Sequence, residues 1–229
     1  MPLLCYITDR RQFPGDGKEQ QLRLLEKIAE CAAAGVDYIQ LREKDLSIRE
    51  LQELARRALA ALPANARTKL LINSRIDVAL ACGAHGVHLP ANDVRAGEAR
   101  ALFVQVSKAS PVVGVSCHTI QEVAMAEAHG ADFAVFAPVF EKDGQRSSAG
   151  LDLLWQACQR PDMAATPIPV LALGGITLDN AAQCLSAGAA GIAAIRLFQQ
   201  HDVARIVETL RRIPSSAAAT LRTFPSPYR

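Results

Sequence analysis

The 229 residues are half hydrophobic but only 5% aromatic, so a core must be built from aliphatic side chains and alanine. With 25 Lys+Arg against 23 Asp+Glu, the net charge of +2 excludes the basic footprint of a nucleic-acid binder and the acidity of a solvating tail. No apolar run approaches the ~20 residues that span a bilayer, which argues against a membrane protein. The opening MPLLCYITDRR has no basic region before its apolar run, and that run is too short for a secretory signal. Six cysteines (Cys5, Cys31, Cys82, Cys117, Cys158 and Cys184) are scattered, with no C-x-x-C or metal-like spacing. A reduced cytoplasmic protein is the simplest expectation.

In chain order, LLCYIT (3–8) reads as a first strand and KEQQLRLLEKIAECAAAG (18–35) as an amphipathic helix. AAAGVDYIQL (32–41) then carries the helix end directly into a second strand. SIRELQELARRALAAL (47–62) is again helical, and KLLIN (69–73) is the third strand. ACGAHGVHL (81–89) repeats the helix–Gly–strand pattern, VVGVS (112–116) is the fifth strand, and TIQEVAMAEAHG (119–130) is a helix with Thr119 as its N-cap candidate. AHGADFAVF (128–136), PVLALG (169–174) and SAGAAGIAAI (186–195) supply strands six to eight. The Pro/Ser/Ala-rich PSSAAATLRTFPSPYR (214–229) reads as an arm or a frayed end beyond a single domain over 1–213.

Four of these stretches are echoes of one another, each an Ala-rich helix end, a Gly, one or two small or polar residues, and an apolar run. The glycines, Gly35, Gly83, Gly130 and Gly188, are 48, 47 and 58 residues apart. A βα unit with short connections takes roughly 25 residues, so each interval holds about two units. The glycines are expected to close helices in the left-handed conformation. Apolar strands alternating with amphipathic helices imply a parallel sheet covered by helices, and eight units in this length point to a (β/α)8 TIM barrel. A doubly wound open sheet is the alternative, weakened because no G-x-G-x-x-G follows the first strand.

In such a barrel, chemistry sits where the strands exit at their C-terminal ends. Those exits carry Thr8 and Asp9; Gln40, Arg42 and Lys44; Asn73, Ser74 and Arg75; His88, Asn92 and Asp93; Ser116 and His118; and Gly174-Gly175. The opposite ends start with Ala, Gly or Asp, an asymmetry expected of a polar, anion-binding mouth. Two residues without Cβ let backbone N–H groups approach a phosphate, so Gly174 and Gly175, with Arg196 just past the eighth strand, form a candidate phosphate cradle. The run IQLREKD (39–45) ends a buried strand in four charges; Arg42 and Lys44, two residues apart, suit a second anion such as a diphosphate.

The ordered motifs YITD, QLREK, IN-x-R-x-D-x-AL, GVHL with an Asp shortly after, GVSCH, APVF, GLDLL and ALGGI resemble the thiamine phosphate synthase family and its close relatives, the thiazole tautomerases, over about residues 3–200. The resemblance implies an enzyme of thiamine biosynthesis, a transferase joining hydroxymethylpyrimidine diphosphate to thiazole phosphate with release of pyrophosphate, assisted by Mg²⁺. It implies that Gln40, Arg42, Lys44, Asn73 and His88 line the pyrimidine diphosphate site, and that Asp93 is a Mg²⁺ ligand. Ser116 would lie near the reacting groups, and Gly150, Gly174 and Gly175 would hold the thiazole phosphate. Lys44, Ser116 and His118 are the candidate catalytic residues.

The chain departs from the synthase pattern at three places. Ser74 stands where the family has a second carboxylate for Mg²⁺. The loop FEKDGQRSSAG (140–150) replaces a Thr-x-Thr-Lys signature, with Lys142 and Arg146 as the nearest substitutes and Ser147 and Ser148 beside them. Arg196 replaces a Ser. Two other readings follow. A tautomerase would rest its proton shuttle on His118 or His88, because Pro138 occupies the position of its usual His. A barrel without chemistry would only bind thiamine intermediates. Partners are small phosphorylated pyrimidine and thiazole substrates, not nucleic acid or membrane, and the oligomeric state is left open, a homo-oligomer included.

Overall fold

In the computed structural model, residues 1–107, 110–140, 150–159 and 167–214 are described. Eight parallel strands close on themselves: β1 (Leu3–Ile7), β2 (Tyr38–Leu41), β3 (Lys69–Asn73), β4 (Gly86–Pro90), β5 (Val112–Cys117), β6 (Phe133–Phe136), β7 (Val170–Ala172) and β8 (Gly191–Ala194). Each pairs with the next in sequence, and β1 returns to β8 through pairs such as Cys5 with Ala193, so no sheet edge is left open. The (β/α)8 barrel expected from the sequence is the fold.

Helices α1 (Gly17–Ala33), α2 (Ile48–Ala60), α3 (Ile76–Cys82), α4 (Ala96–Ser107), α5 (Ile120–Ala128), α6 (Gly150–Gln159) and α7 (Leu178–Ser186) follow their strands in turn. After β8 come the short α8 (Arg196–Gln199) and then α9 (Val203–Arg212). A three-residue 3-10 turn, Arg10–Gln12, sits between β1 and α1. Neither that turn nor α8 is legible in the sequence, because one turn of helix has no periodicity.

Alternation along the strands separates two packing zones. Leu4, Tyr6, Ile39, Leu41, Leu70 and Ile72 face outward onto the helices, where they join Leu51, Leu54, Ala55 and Ala58, the inner stripe of α2. Cys5, Ile7, Leu71, Phe133, Val135, Leu171 and Ala193 fill the barrel itself. Apart from Phe133 and Cys5 the second set is aliphatic, in line with the aromatic-poor composition.

The four echo glycines all have positive φ (+85°, +71°, +80° and +99° for Gly35, Gly83, Gly130 and Gly188), as expected of left-handed helix closers. Thr119 caps α5, its hydroxyl accepting from the Glu122 N–H at 3.1 Å while Glu122 accepts back from the Thr119 N–H. The seventh strand is shorter than its apolar run. It stops at Ala172, because Gly174 turns the chain at φ +104°.

Candidate functional site

The charges that end β2 are sorted by partner. Glu43 is 4% exposed and accepts from the Thr8 hydroxyl at 2.6 Å, from the Arg10 N–H at 3.1 Å and from Arg10 Nη1 at 2.9 Å. Arg10 then grips Asp45 with both terminal nitrogens, at 2.8 and 2.7 Å. That fork holds the Asp45 carboxyl below its ordinary range and raises Arg10 further. Burial pushes the Glu43 carboxyl upward, against the hydrogen bonds from Thr8 and Arg10 that pull it down. Thr8 Oγ1 also accepts from the Arg42 N–H at 2.9 Å, which ties the β2 exit to β1.

Arg42 and Lys44 are left over. Neither side chain has a hydrogen bond or ion pair among the described residues; Arg42 is half-buried and Lys44 exposed. Next to them, Gln40 is 2% exposed with an amide that likewise bonds no described residue. A largely buried glutamine and two cations without a described partner, together on one strand exit, are groups that suit a polar, anionic ligand.

Deeper in the barrel, His88 of β4 is 1% exposed, and its Nε2 lies 2.8 Å from Ser116 Oγ on β5. Burial, with a smaller contribution from the nearby Arg42 charge, pushes the imidazole down to about 3, so it is neutral near pH 7. The ring tilts against Phe133 with centroids 5.8 Å apart, and Phe133 stacks on Tyr38 at 4.6 Å. Gly114 makes room for this arrangement. A Cβ there would come within 2.4 Å of the Phe133 ring and 2.7 Å of His88 Nδ1. His88 Nδ1 is buried and unpartnered among the described residues, so Ser116 is its one polar contact. Asn73 Nδ2 donates to Ser74 Oγ at 3.1 Å, while the Ser74 N–H donates to the His88 carbonyl at 2.9 Å. Ser74 holds φ +60°, unusual for a residue other than glycine.

The exits of β7 and β8 enclose a cavity of about 640 Å³ lined by Gly174, Gly175, Thr177, Arg196, His201 and Gln12, among others. Gly174 is required twice over: its φ is +104°, and a Cβ would stand 2.8 Å from the Pro138 backbone. The chain beyond β6 is pinned here, with the Val139 N–H donating to the Leu173 carbonyl at 2.9 Å and the Phe140 N–H to the Gly174 carbonyl at 3.1 Å. Gly150 opens α6 and donates to the Val139 carbonyl at 3.1 Å. His118, exposed at the β5 exit, has Nδ1 2.7 Å from the Ala137 carbonyl; a carbonyl only accepts, so that nitrogen is the donor.

The structure thus places Gln40, Arg42, Lys44, Asn73, His88 and Ser116 along β2 to β5 and their exits, with His88 and Ser116 in contact, and Gly174, Gly175 and Arg196 in the wall of the cavity at the exits of β7 and β8. Lys142 and Arg146 lie outside the described residues. Asp93 is exposed on the turn after β4, one oxygen accepting from the Val94 N–H at 2.8 Å. Among the described residues no three His, Cys, Asp or Glu side chains cluster as a metal centre. A Mg²⁺ arriving with substrate phosphates needs only one or two protein carboxylates, and Asp93 with a free oxygen fits that requirement. Sequence reading missed the Arg10–Glu43–Asp45 group, since nothing local signals a pairing across 33 to 35 residues. It also missed Gln12 and His201 in the cavity wall, whose elements have no pattern to read.

A family model described as thiamine monophosphate synthase matches residues 4–198. Among curated relatives, a Chlorobium luteolum protein named thiamine-phosphate synthase is 38% identical over 194 residues, covering 85% of this chain and 84% of its own. A Geobacter sulfurreducens protein whose name assigns the same activity provisionally is 43% identical over 199 residues, 84% of each chain. The solved structure of a thiamine phosphate pyrophosphorylase from Pyrococcus furiosus superposes with a TM-score of 0.73 at 31% identity, covering 92% of this chain and 94% of that one.

Proposed function

The chain belongs to the thiamine monophosphate synthase family, and we propose that its barrel mouth joins hydroxymethylpyrimidine diphosphate to thiazole phosphate, each anion held in one of the two places just described. It is an enzyme of thiamine biosynthesis, a transferase of the diphosphorylase type. The observation that carries the site assignment is the separation of Arg42 and Lys44, unpaired at the β2 exit, from the Gly174–Gly175–Arg196 cavity at the exits of β7 and β8. A reaction between two anionic substrates needs two cradles, and a simple phosphatase or single-ligand binder does not.

In this reading Arg42 and Lys44 grip the diphosphate, and Gln40 and Asn73 hydrogen-bond the pyrimidine. The bond between the pyrimidine methylene carbon and the diphosphate oxygen breaks with its electron pair leaving on pyrophosphate, and the thiazole nitrogen lone pair forms the new C–N bond. Arg42 and Lys44 stabilise the charge that grows on the leaving group. The neutral His88 orients the Ser116 hydroxyl beside the reacting carbon, and backbone N–H groups at Gly174 and Gly175, with Arg196, hold the thiazole phosphate in line. Mg²⁺, held by Asp93 and substrate oxygens, would add its charge to the leaving pyrophosphate. The low His88 basicity suits a mouth where a carbocation forms, because a charged imidazole there would oppose it.

Neither tautomerisation nor ligand binding without chemistry gains support from the relatives, which carry synthase names. Among the described residues no helix is long and apolar enough to cross a membrane.

The test is incubation with both substrates, with Mg²⁺ or with EDTA, and detection of thiamine phosphate by mass spectrometry. Metal-dependent product is expected, with kcat/KM falling by about 100-fold or more in Arg42→Ala and Lys44→Ala. Binding of both substrates without any product would overturn the assignment.

A further inference from the structure

Resting on the diphosphate assignment above, we propose that Arg10 is a positioning residue for that site: it draws Glu43 and Asp45 onto itself, and this keeps Arg42 and Lys44 free for the anion. In sequence, residues 42 to 45 alternate cation, acid, cation, acid and are neutral as a group. A neutral run would be a poor receptor for a diphosphate, since each cation has a carboxylate one residue away. The fold resolves this by importing a third cation from another strand exit.

Three observations carry the assignment. First, both acids are engaged by one side chain, Glu43 at 2.9 Å and Asp45 at 2.8 and 2.7 Å, while neither cation of the run has a partner among the described residues. Second, Arg10 and Glu43 are 7% and 4% exposed, an investment in desolvated charge that a loop on the surface does not need. Third, the same group reaches the backbone of the diphosphate site, because Thr8 donates to Glu43 and accepts from the Arg42 N–H. Arg10 touches no substrate in this account; it acts through the acids it removes.

Arginine is needed for its fork. A lysine offers a single point charge and cannot hold the carboxylates of Glu43 and Asp45 together. Released, either acid would pair with Arg42 or Lys44.

The experiment measures calorimetric affinity for inorganic pyrophosphate, with affinity for thiazole phosphate as the reference for an intact barrel. Arg10→Ala is expected to weaken pyrophosphate binding by about tenfold or more and leave thiazole phosphate within about threefold. The decisive variant is Arg10→Ala/Glu43→Gln/Asp45→Asn, which removes the acids along with their partner. Recovery of pyrophosphate affinity to within about threefold of wild type is expected, whereas a purely architectural role would not be rescued. If Arg10→Ala does not fold, Arg10→Lys with and without Asp45→Asn gives the same comparison.

Wild-type pyrophosphate affinity in a folded Arg10→Ala overturns the proposal, as does a folded triple variant that stays weak. Arg42→Ala is the control on the underlying reading. If it binds pyrophosphate as well as wild type, the diphosphate site lies elsewhere and both conclusions fall. If it binds weakly while Arg10→Ala does not, only the role of Arg10 is lost.

Discussion

His88 shows how one side chain can link chemistry to stability. In the folded barrel it resists protonation down to about pH 3, whereas an unfolded chain takes up that proton near the ordinary histidine value of 6.5. Between those limits the unfolded state binds more protons, so stability rises with pH and is lost as pH falls through the window. For pH 6.5 to 4.5 the loss from this group is roughly 2–3 kcal/mol. Urea unfolding of His88→Asn across that range should therefore show a flatter pH profile than wild type. A parallel profile would mean that the imidazole is already protonated in the fold. His88 was legible in the sequence as a strand-end histidine. Its neutrality was not, because that comes first from burial inside the barrel and then from the Arg42 charge, which other elements bring to it.

At the scale of the element, positive-φ glycines divide by what surrounds them. Gly35 has open space where a Cβ would go, so Gly35→Ala should cost only the left-handed conformation, about 1 kcal/mol, and leave both ligand affinities unchanged. Gly174 faces the Pro138 backbone at 2.8 Å, and flexible side-chain rearrangement cannot relieve that contact. Gly174→Ala should cost about 2–4 kcal/mol in thermal or urea unfolding and weaken thiazole phosphate binding well beyond any effect on pyrophosphate. Equal losses for both ligands would mean that the β7 exit is not a separate cradle. The strands, the helices and the four closing glycines could be read from periodicity because local conformation and burial agree in each. The ends of β7 and β8 could not, since what they enclose depends on how β6 returns across them.

At the scale of the molecule, barrel closure is reinforced at the end opposite the site. Asp37, just ahead of β2, accepts from the Leu4 N–H at 2.7 Å and from Arg211 Nη2 at 2.7 Å, joining the first strand, the second and the last helix. Arg211 also donates to the carbonyls of Pro2 and Gly35. Removing the carboxylate in Asp37→Ala should lower stability by about 2–3 kcal/mol, read as a drop in Tm with the catalytic parameters of the folded enzyme unchanged. A changed KM would show that the two ends of the barrel are coupled. Closure was implied by eight repeated units, but the residues that seal it were not, being far apart in sequence.

The turn Arg10–Gln12 touches both the β2 exit and the cavity at the β7 and β8 exits. Arg10 reaches toward β2, Gln12 borders the β7–β8 cavity, and the Asp9 carbonyl just before them accepts from Gln199 Nε2 at 2.8 Å. Five consecutive residues, Thr8 to Gln12, therefore touch both the β2 exit and the cavity wall. For directed evolution this puts two handles on one short segment: Arg10 bears on the β2 side alone, and Gln12 on the wall of the β7–β8 cavity. A library that varies Arg10 and Gln12 separately should therefore move the two preferences one at a time.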